Sequence, residues 1–133
     1  MDYNKNMRTA ANRHFEAAEQ LVGGHRKDVA GYLYGISAEC AIKEIMLRSG
    51  MRPLDARDRR DDPFYAHFEV LKTLLRDGAY GRLATVLNRM AQDNAFMQCW
   101  DTSMRYSDGR EIDERRVKRW RADAQLAISA MDN

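Results

Sequence analysis

Between Asp28 and Lys43 the chain carries a single charge, Glu39, and its apolar residues do not keep to one side. Val29, Tyr32, Leu33, Ile36, Cys40, Ile42, Ile45 and Leu47 spread around a helix expected from about Lys27 to Arg48, with Gly31, Gly35, Ser37, Ala38 and Ala41 filling between them. A helix apolar on nearly all sides belongs in the middle of a bundle. Everything else in the chain therefore reads as material packed around it. Glycine costs roughly 1 kcal/mol relative to alanine inside a helix. Gly31 and Gly35, one turn apart, thus point to a close approach by another helix backbone. The segment is the expected core of the domain and a candidate subunit contact.

The flanking segments have ordinary amphipathic spacing. From Asn4 to Val22, Met7, Ala10, Ala11, His14, Phe15, Ala18, Leu21 and Val22 fall on one face, and Gly23-Gly24 stops that helix. Met51 to Asp62 holds four arginines, four aspartates and Pro53 without periodicity, the pattern of a mobile, self-compensating charged loop. Asp62-Pro63 supplies an N-cap and a first-position proline for a third helix carrying Phe64, His67, Phe68, Leu71, Leu74 and Leu75, ending at Asp77-Gly78. A fourth helix is expected over about Tyr80 to Met97, with Leu83, Leu87, Met90, Asn94 and Met97 on one face. After an irregular connector, Asp108 and Glu111 have the spacing of a capping box for a last helix over about Gly109 to Met131. The sum is an all-α, antiparallel four- to five-helix bundle forming one domain over residues 1–133.

Composition narrows the function. The chain has 133 residues, eight glycines and two prolines, a helix former's balance in one domain of common size. Its formal net charge of +2 confines any nucleic-acid contact to a local patch. No apolar run approaches the roughly 20 residues of a membrane span, and the charged N-terminal residues do not resemble a secretory signal. Cys40 and Cys99 stand alone, so no disulfide framework is readable and a reducing cytoplasm is the expected compartment. The histidines show neither HExxH nor HxH spacing, and no metal or other cofactor is expected.

Two places carry chemistry. Glu39, on the most buried helix, needs an arginine or a polar network as partner, because an unpaired buried carboxylate costs several kcal/mol. It is either a structural ion pair or a carboxylate facing a site between helices. The connector Trp100-Asp101-Thr102-Ser103-Met104-Arg105-Tyr106-Ser107-Asp108 holds an indole, a guanidinium and a phenol, groups that grip phosphates and stack on bases. Alternatively, Trp100 and Tyr106 pack on the bundle and Arg105 pairs with Glu39 or another carboxylate. His14 and His67 sit on apolar stripes and His25 follows the Gly-Gly turn. Arg115, Arg116, Lys118, Arg119 and Arg121 form a basic band on the last helix, usually a solvated face.

The order AANRHFEAAEQLV, DVAGYLYGISAECAIKEIML, AHFEVLKTLL and WDTSMRYSD resembles the HEPN superfamily over about residues 7 to 130. Tyr32-Leu33, Glu39-Cys40-Ala41 and Lys43 carry the resemblance, supported by His67 and Trp100 to Tyr106. It implies a four- or five-helix bundle, commonly a homodimer, found with nucleotidyltransferases in toxin–antitoxin pairs, in phage defence and in nucleotide-binding modules. Many members are metal-independent RNases with an Arg-x4-6-His motif near the start of the last helix. Here no histidine follows Arg105, so the pair that would activate a 2′-hydroxyl and protonate the leaving oxygen is incomplete at that place. Arg8 to His14 and Arg60 to His67 meet the spacing by count, away from the family's usual position.

The resemblance implies a homodimeric nucleotide- or RNA-binding or regulatory domain, with or without a nucleotidyltransferase partner. Its expected ligand contacts are Glu39, Lys43, Trp100, Arg105 and Tyr106, in a groove lined by Glu39, Arg105 and Tyr106. The rival is a metal-independent ribonuclease with Arg105 as electrostatic stabiliser and His67 or Glu39 moving the proton. A structural bridging subunit is the third reading.

Overall fold

The computed structural model describes residues 3–77 and 85–133. No strand occurs among them, and five α-helices follow in order: α1 (Met7–Val22), α2 (Lys27–Arg48), α3 (Phe68–Asp77), α4 (Thr85–Gln92) and α5 (Glu114–Asp132). Short 3-10 turns occupy Ala56–Asp61, Pro63–Tyr65 and Thr102–Tyr106. None of the described helices is long and apolar enough to cross a membrane.

The central helix is α2, with α1 and α5 against it. Ile42 and Ile45 are buried as expected, but much of the rest of the contact is made by small residues. Ala30, Gly31, Gly35, Ser37, Ala38 and Ala41 are buried, whereas Leu33, Ile36, Cys40 and Leu47 are only half-buried and Val29 is exposed. Small side chains let α1 come close enough for the Ser37 hydroxyl to donate to the Ala11 carbonyl at 2.7 Å. The α2 glycines face indoles and not helix backbones. A Cβ on Gly31 would lie 3.0 Å from the Trp120 ring, and one on Gly35 only 1.9 Å from the Trp100 ring. Gly35 is thus a notch for a tryptophan.

Helix direction also departs from the antiparallel expectation. Lys27 at the start of α2 meets Glu114 at the start of α5 at 3.3 Å, and Arg48 at the end of α2 donates to the Met131 carbonyl at the end of α5. Those two helices run parallel. Arg8, near the start of α1, also reaches Met131 and Asp132, so α1 runs against α5. These guanidinium groups both satisfy the Met131 carbonyl, which the end of α5 leaves without a helical partner. Midway, Glu19 accepts from the Tyr34 hydroxyl and the Arg121 Nε, both at 2.6 Å, tying α1, α2 and α5 together.

Three helix limits, the starts of α3 and α5 and the end of α4, are displaced from the sequence expectation, each beside an aspartate. Asp62, 1% exposed, accepts from the Phe64 N–H at 3.0 Å and the Leu54 N–H at 2.8 Å. Its capping capacity serves a single 3-10 turn; Ala66 is extended, and α3 begins only at Phe68. The charged stretch before it takes a defined 3-10 turn over Ala56–Asp61. Asp93 accepts from the Ala95 N–H at 2.9 Å and ends α4 at Gln92, so Asn94 and Met97 lie outside the helix. The expected Gly78 stop, the Tyr80 start and Leu83 lie outside the described residues. Asp108 accepts locally from the Arg110 N–H at 3.0 Å, while Asp113 caps α5 through the Arg116 N–H at 2.8 Å. Gly109, at φ +85°, has the Asp28 carboxylate where a Cβ would lie.

Met97 and Cys99 hold left-handed backbone, at φ 53° and 66°, which costs on the order of 1 kcal/mol each for such residues. Three donors fix this turn. The Met97 N–H donates to Asp123 at 2.9 Å, the Trp120 indole N–H to the Gln98 carbonyl at 2.9 Å, and the Trp100 indole N–H to the Gly31 and Tyr32 carbonyls at 3.2 Å. Trp100 is consequently seated in the Gly35 notch, stacked on Tyr32 at 5.6 Å and edge-on to Phe68 at 5.5 Å.

Candidate functional site

Glu39 points from α2 toward the start of α3 and is 4% exposed. Its partners are Lys43, one turn along at 3.8 Å, and the His67 Nδ1, 3.1 Å from both carboxylate oxygens. The expected Arg105 pairing does not occur. Burial raises the Glu39 carboxyl above its ordinary range, opposed by Lys43 and then His67. Lys43 is itself buried, so the pair is an internal one.

His67 immediately precedes α3, and its carbonyl accepts the Leu71 N–H at 2.7 Å. That position fixes the backbone while leaving the imidazole 54% exposed. With Nδ1 held against the buried carboxylate, Nε2 is left with no hydrogen-bond partner among the described residues, and it serves as an acceptor in the tautomer that carries its proton on Nδ1. The imidazole lines a cavity of about 660 Å3 together with Arg59, Arg60, Tyr65, Trp100 and Asp101. Arg59 lies over the Tyr65 ring at 4.4 Å from its centroid. Asp101, held low chiefly by the Ser103 backbone N–H and to a lesser degree by His67, adds a carboxylate to the rim.

The other expected residues divide. Trp100 is 1% exposed, so it forms the cavity's floor and packs into the bundle. Tyr106 does not pack on the bundle: it is 79% exposed, and Arg105 lies over its ring at 4.9 Å. Neither Arg105 nor Tyr106 lines the cavity. The groove of Glu39, Arg105 and Tyr106 is therefore replaced by one with Glu39 behind His67 and Arg59 and Arg60 opposite. Those two arginines are the members that sequence reading missed. Their charged segment looked self-compensating, and Arg57 does face Asp55 and Asp58 at 3.5 and 3.9 Å. The available signal was the Arg60–His67 spacing.

The remaining histidines and both cysteines lie outside this cavity. His14 is half-buried, with burial first and Arg13 second lowering its pKa. His25 is exposed. Both thiols are free, and burial pushes Cys40 up to about 11, leaving it protonated near neutrality. No group of three or more His, Cys, Asp or Glu among the described residues is arranged to hold a metal ion.

Neither family models, curated proteins nor solved structures yield a match to the chain.

Proposed function

We propose that this chain is a HEPN-like binding domain that takes a phosphate-bearing nucleotide or RNA segment in the cavity between the 56–67 segment and Trp100. One observation carries this reading: an imidazole oriented by a buried carboxylate shares a concave surface with two arginines. Guanidinium groups suit phosphate oxygens through paired, charge-assisted hydrogen bonds. Calorimetry with uridine and adenosine monophosphates tests it. Binding should weaken about tenfold or more in Arg60→Gln, as expected on loss of a charge-assisted contact. Binding that is indifferent to both Arg60→Gln and His67→Ala would remove the cavity from consideration.

A second reading, a metal-independent ribonuclease, is favoured by Arg60 and His67 lining one cavity at the Arg-x4-6-His spacing. In it the His67 Nε2 takes the proton of the 2′-hydroxyl, whose oxygen bonds to the adjacent phosphorus as the bond to the 5′-oxygen breaks. The products are a 2′,3′-cyclic phosphate and a 5′-hydroxyl protonated by water, and Arg60 offsets charge developing on the phosphate. Purified protein incubated with RNA and chelator should then cleave, and both substitutions should abolish the activity. Intact RNA leaves the binding reading alone.

A homodimer fits the same family reading. Its support is the exposed Val29 beside half-buried Leu33, Ile36 and Cys40 on one face of α2, the kind of apolar stripe a second copy would cover. Free thiols accord with a reducing cytoplasm, and a nucleotidyltransferase is the partner class that the HEPN resemblance suggests.

A further inference from the structure

Three depressions meet around the strained turn that seats Trp100. The candidate-site cavity shares Phe68 with a smaller one of about 210 Å3 bordered by Lys72 and Arg76, which shares Gln98 and Cys99 with a third of about 650 Å3. The third runs along the first turns of α5 and is lined by Arg115, Arg116, Lys118 and Arg119, all exposed. Lys118 has only a loose one-turn pairing with Glu114 at 3.9 Å, and Arg119 one with Asp123 at 3.8 Å. Arg115 and Arg116 make no ion pair among the described residues. Asp113, the one acid in the lining, already caps the Arg116 N–H. The groove is therefore cationic, concave and joined to the site by shared residues, features that a merely solvated charge run on a convex helix face lacks.

We infer that the groove along α5 is a second binding surface, for the phosphates of a single-stranded nucleic acid whose reading head is the His67 cavity. This rests on the nucleotide reading of that cavity given above. A mononucleotide has no means of using cations beyond the Phe96–Trp100 turn, and a stiff duplex cannot follow depressions that bend around it. A flexible strand of several nucleotides can do both. Backbone contacts of this kind add affinity without sequence preference and carry a salt dependence of about 0.7 in log–log slope for each phosphate neutralised on a single strand.

Anisotropy of a fluorescein-labelled 12-residue oligouridylate, titrated across a range of salt concentrations, tests the track alongside calorimetry with uridine monophosphate. The double variant Arg115→Gln/Arg116→Gln changes only exposed side chains, and its thermal unfolding verifies that it is folded. It should weaken 12-mer binding by about tenfold and lower the salt slope by about 1.4, leaving the mononucleotide untouched. The cavity variants Arg60→Gln and His67→Ala should weaken both ligands. Unchanged 12-mer affinity in the α5 variant overturns the track while the cavity reading stands. A 12-mer sensitive to the α5 variant yet indifferent to the cavity variants overturns the reading head, and with it the single strand that joins the two. If a polyglutamate peptide displaces the 12-mer at equal charge concentration, the groove serves an acidic protein segment and the nucleic-acid assignment is wrong. No binding of either nucleotide ligand overturns both proposals.

Discussion

The two halves of this molecule are built by different rules. In the layer of α1, α2 and α5, small side chains set how closely helices approach, and long-range contacts such as Ser37 to Ala11 fix them. Across residues 51–67 and 93–113, aspartates set the path. Asp62, Asp93, Asp101, Asp108 and Asp113 each accept a nearby backbone N–H, and all but Asp113, which caps the long α5, begin or end something short. Such local bonds compete with helix propagation. The candidate cavity lies on the aspartate-directed side, where irregular backbone lets an imidazole and two arginines converge without sharing a helix. Trp100 belongs to both halves.

Removing Trp100 should produce the largest effect, because it takes out the joint. Trp100→Ala should lower stability by about 3–5 kcal/mol in urea unfolding. Gly35→Ala drives a methyl into the same ring and should cost about 1–3 kcal/mol or more. The two changes should be strongly non-additive, since the Gly35 substitution does no harm once the indole is gone. Additive losses would mean that the notch and the ring do not act on each other.

Asp62→Ala should cost about 1–3 kcal/mol, because two backbone donors lose their acceptor next to the core. Hydrogen exchange should confine the loss of protection to residues 51–67. If protection falls equally across α1 and α2, the two halves are one cooperative unit and the contrast fails.

Within the helical layer, acid titration separates the carboxylate behind the cavity from the one in the scaffold by sign. Glu39 is raised by burial, so the folded state binds its proton more tightly than the unfolded chain; the stability it contributes is present below about pH 4.5 and lost as pH climbs through the folded value. Glu19 is lowered, chiefly by the Arg121 hydrogen bond, so its contribution is present above about pH 4.5 and lost as pH falls through the folded value. The wild-type minus variant stability difference should therefore fall with rising pH for Glu39→Gln and rise for Glu19→Gln. Parallel curves would contradict the distinction between a carboxylate strained at a site and one satisfied in a scaffold.

Arg105→Ala should have the smallest effect. The side chain is exposed and leans only on Tyr106 and Tyr32, which raise its pKa, Tyr32 first. Its thermal midpoint should match the wild type. A clear drop would mean the connector helps hold the bundle together.

What was legible in the sequence follows the same division. The limits of α2 match the structure because charges and the Ser49-Gly50 turn bound its apolar run, and the first helix ends where its glycines place it. The α1 start, too, moves only to the residue after its Asn6 cap. The starts of α3 and α5 were misplaced because Asp62 and Asp108 have the right residue type for a cap, and residue type does not reveal how many turns follow. Glu39 was recognised as needing a partner, yet which partner depends on His67 arriving from a segment 28 positions away. Arg59 and Arg60 escaped because their neighbours' charges balance along the chain although their side chains turn to Tyr65 and the cavity.

The parallel course of α2 and α5 bears on the order of assembly. A tight turn joins α1 to α2, so that pair closes a short loop and can form early. The α5 helix reaches its seat only after residues 49–113 have carried the chain back along the whole length of the core, a larger loop with a greater closing entropy. Docking of α5 is thus the late event. Substitutions at the Ala11–Ser37 crossing should slow refolding, whereas those at Trp120 should chiefly hasten unfolding. A nascent chain holding only α1 and α2 would leave the glycine notches empty, exposing an apolar trough until the tryptophans arrive.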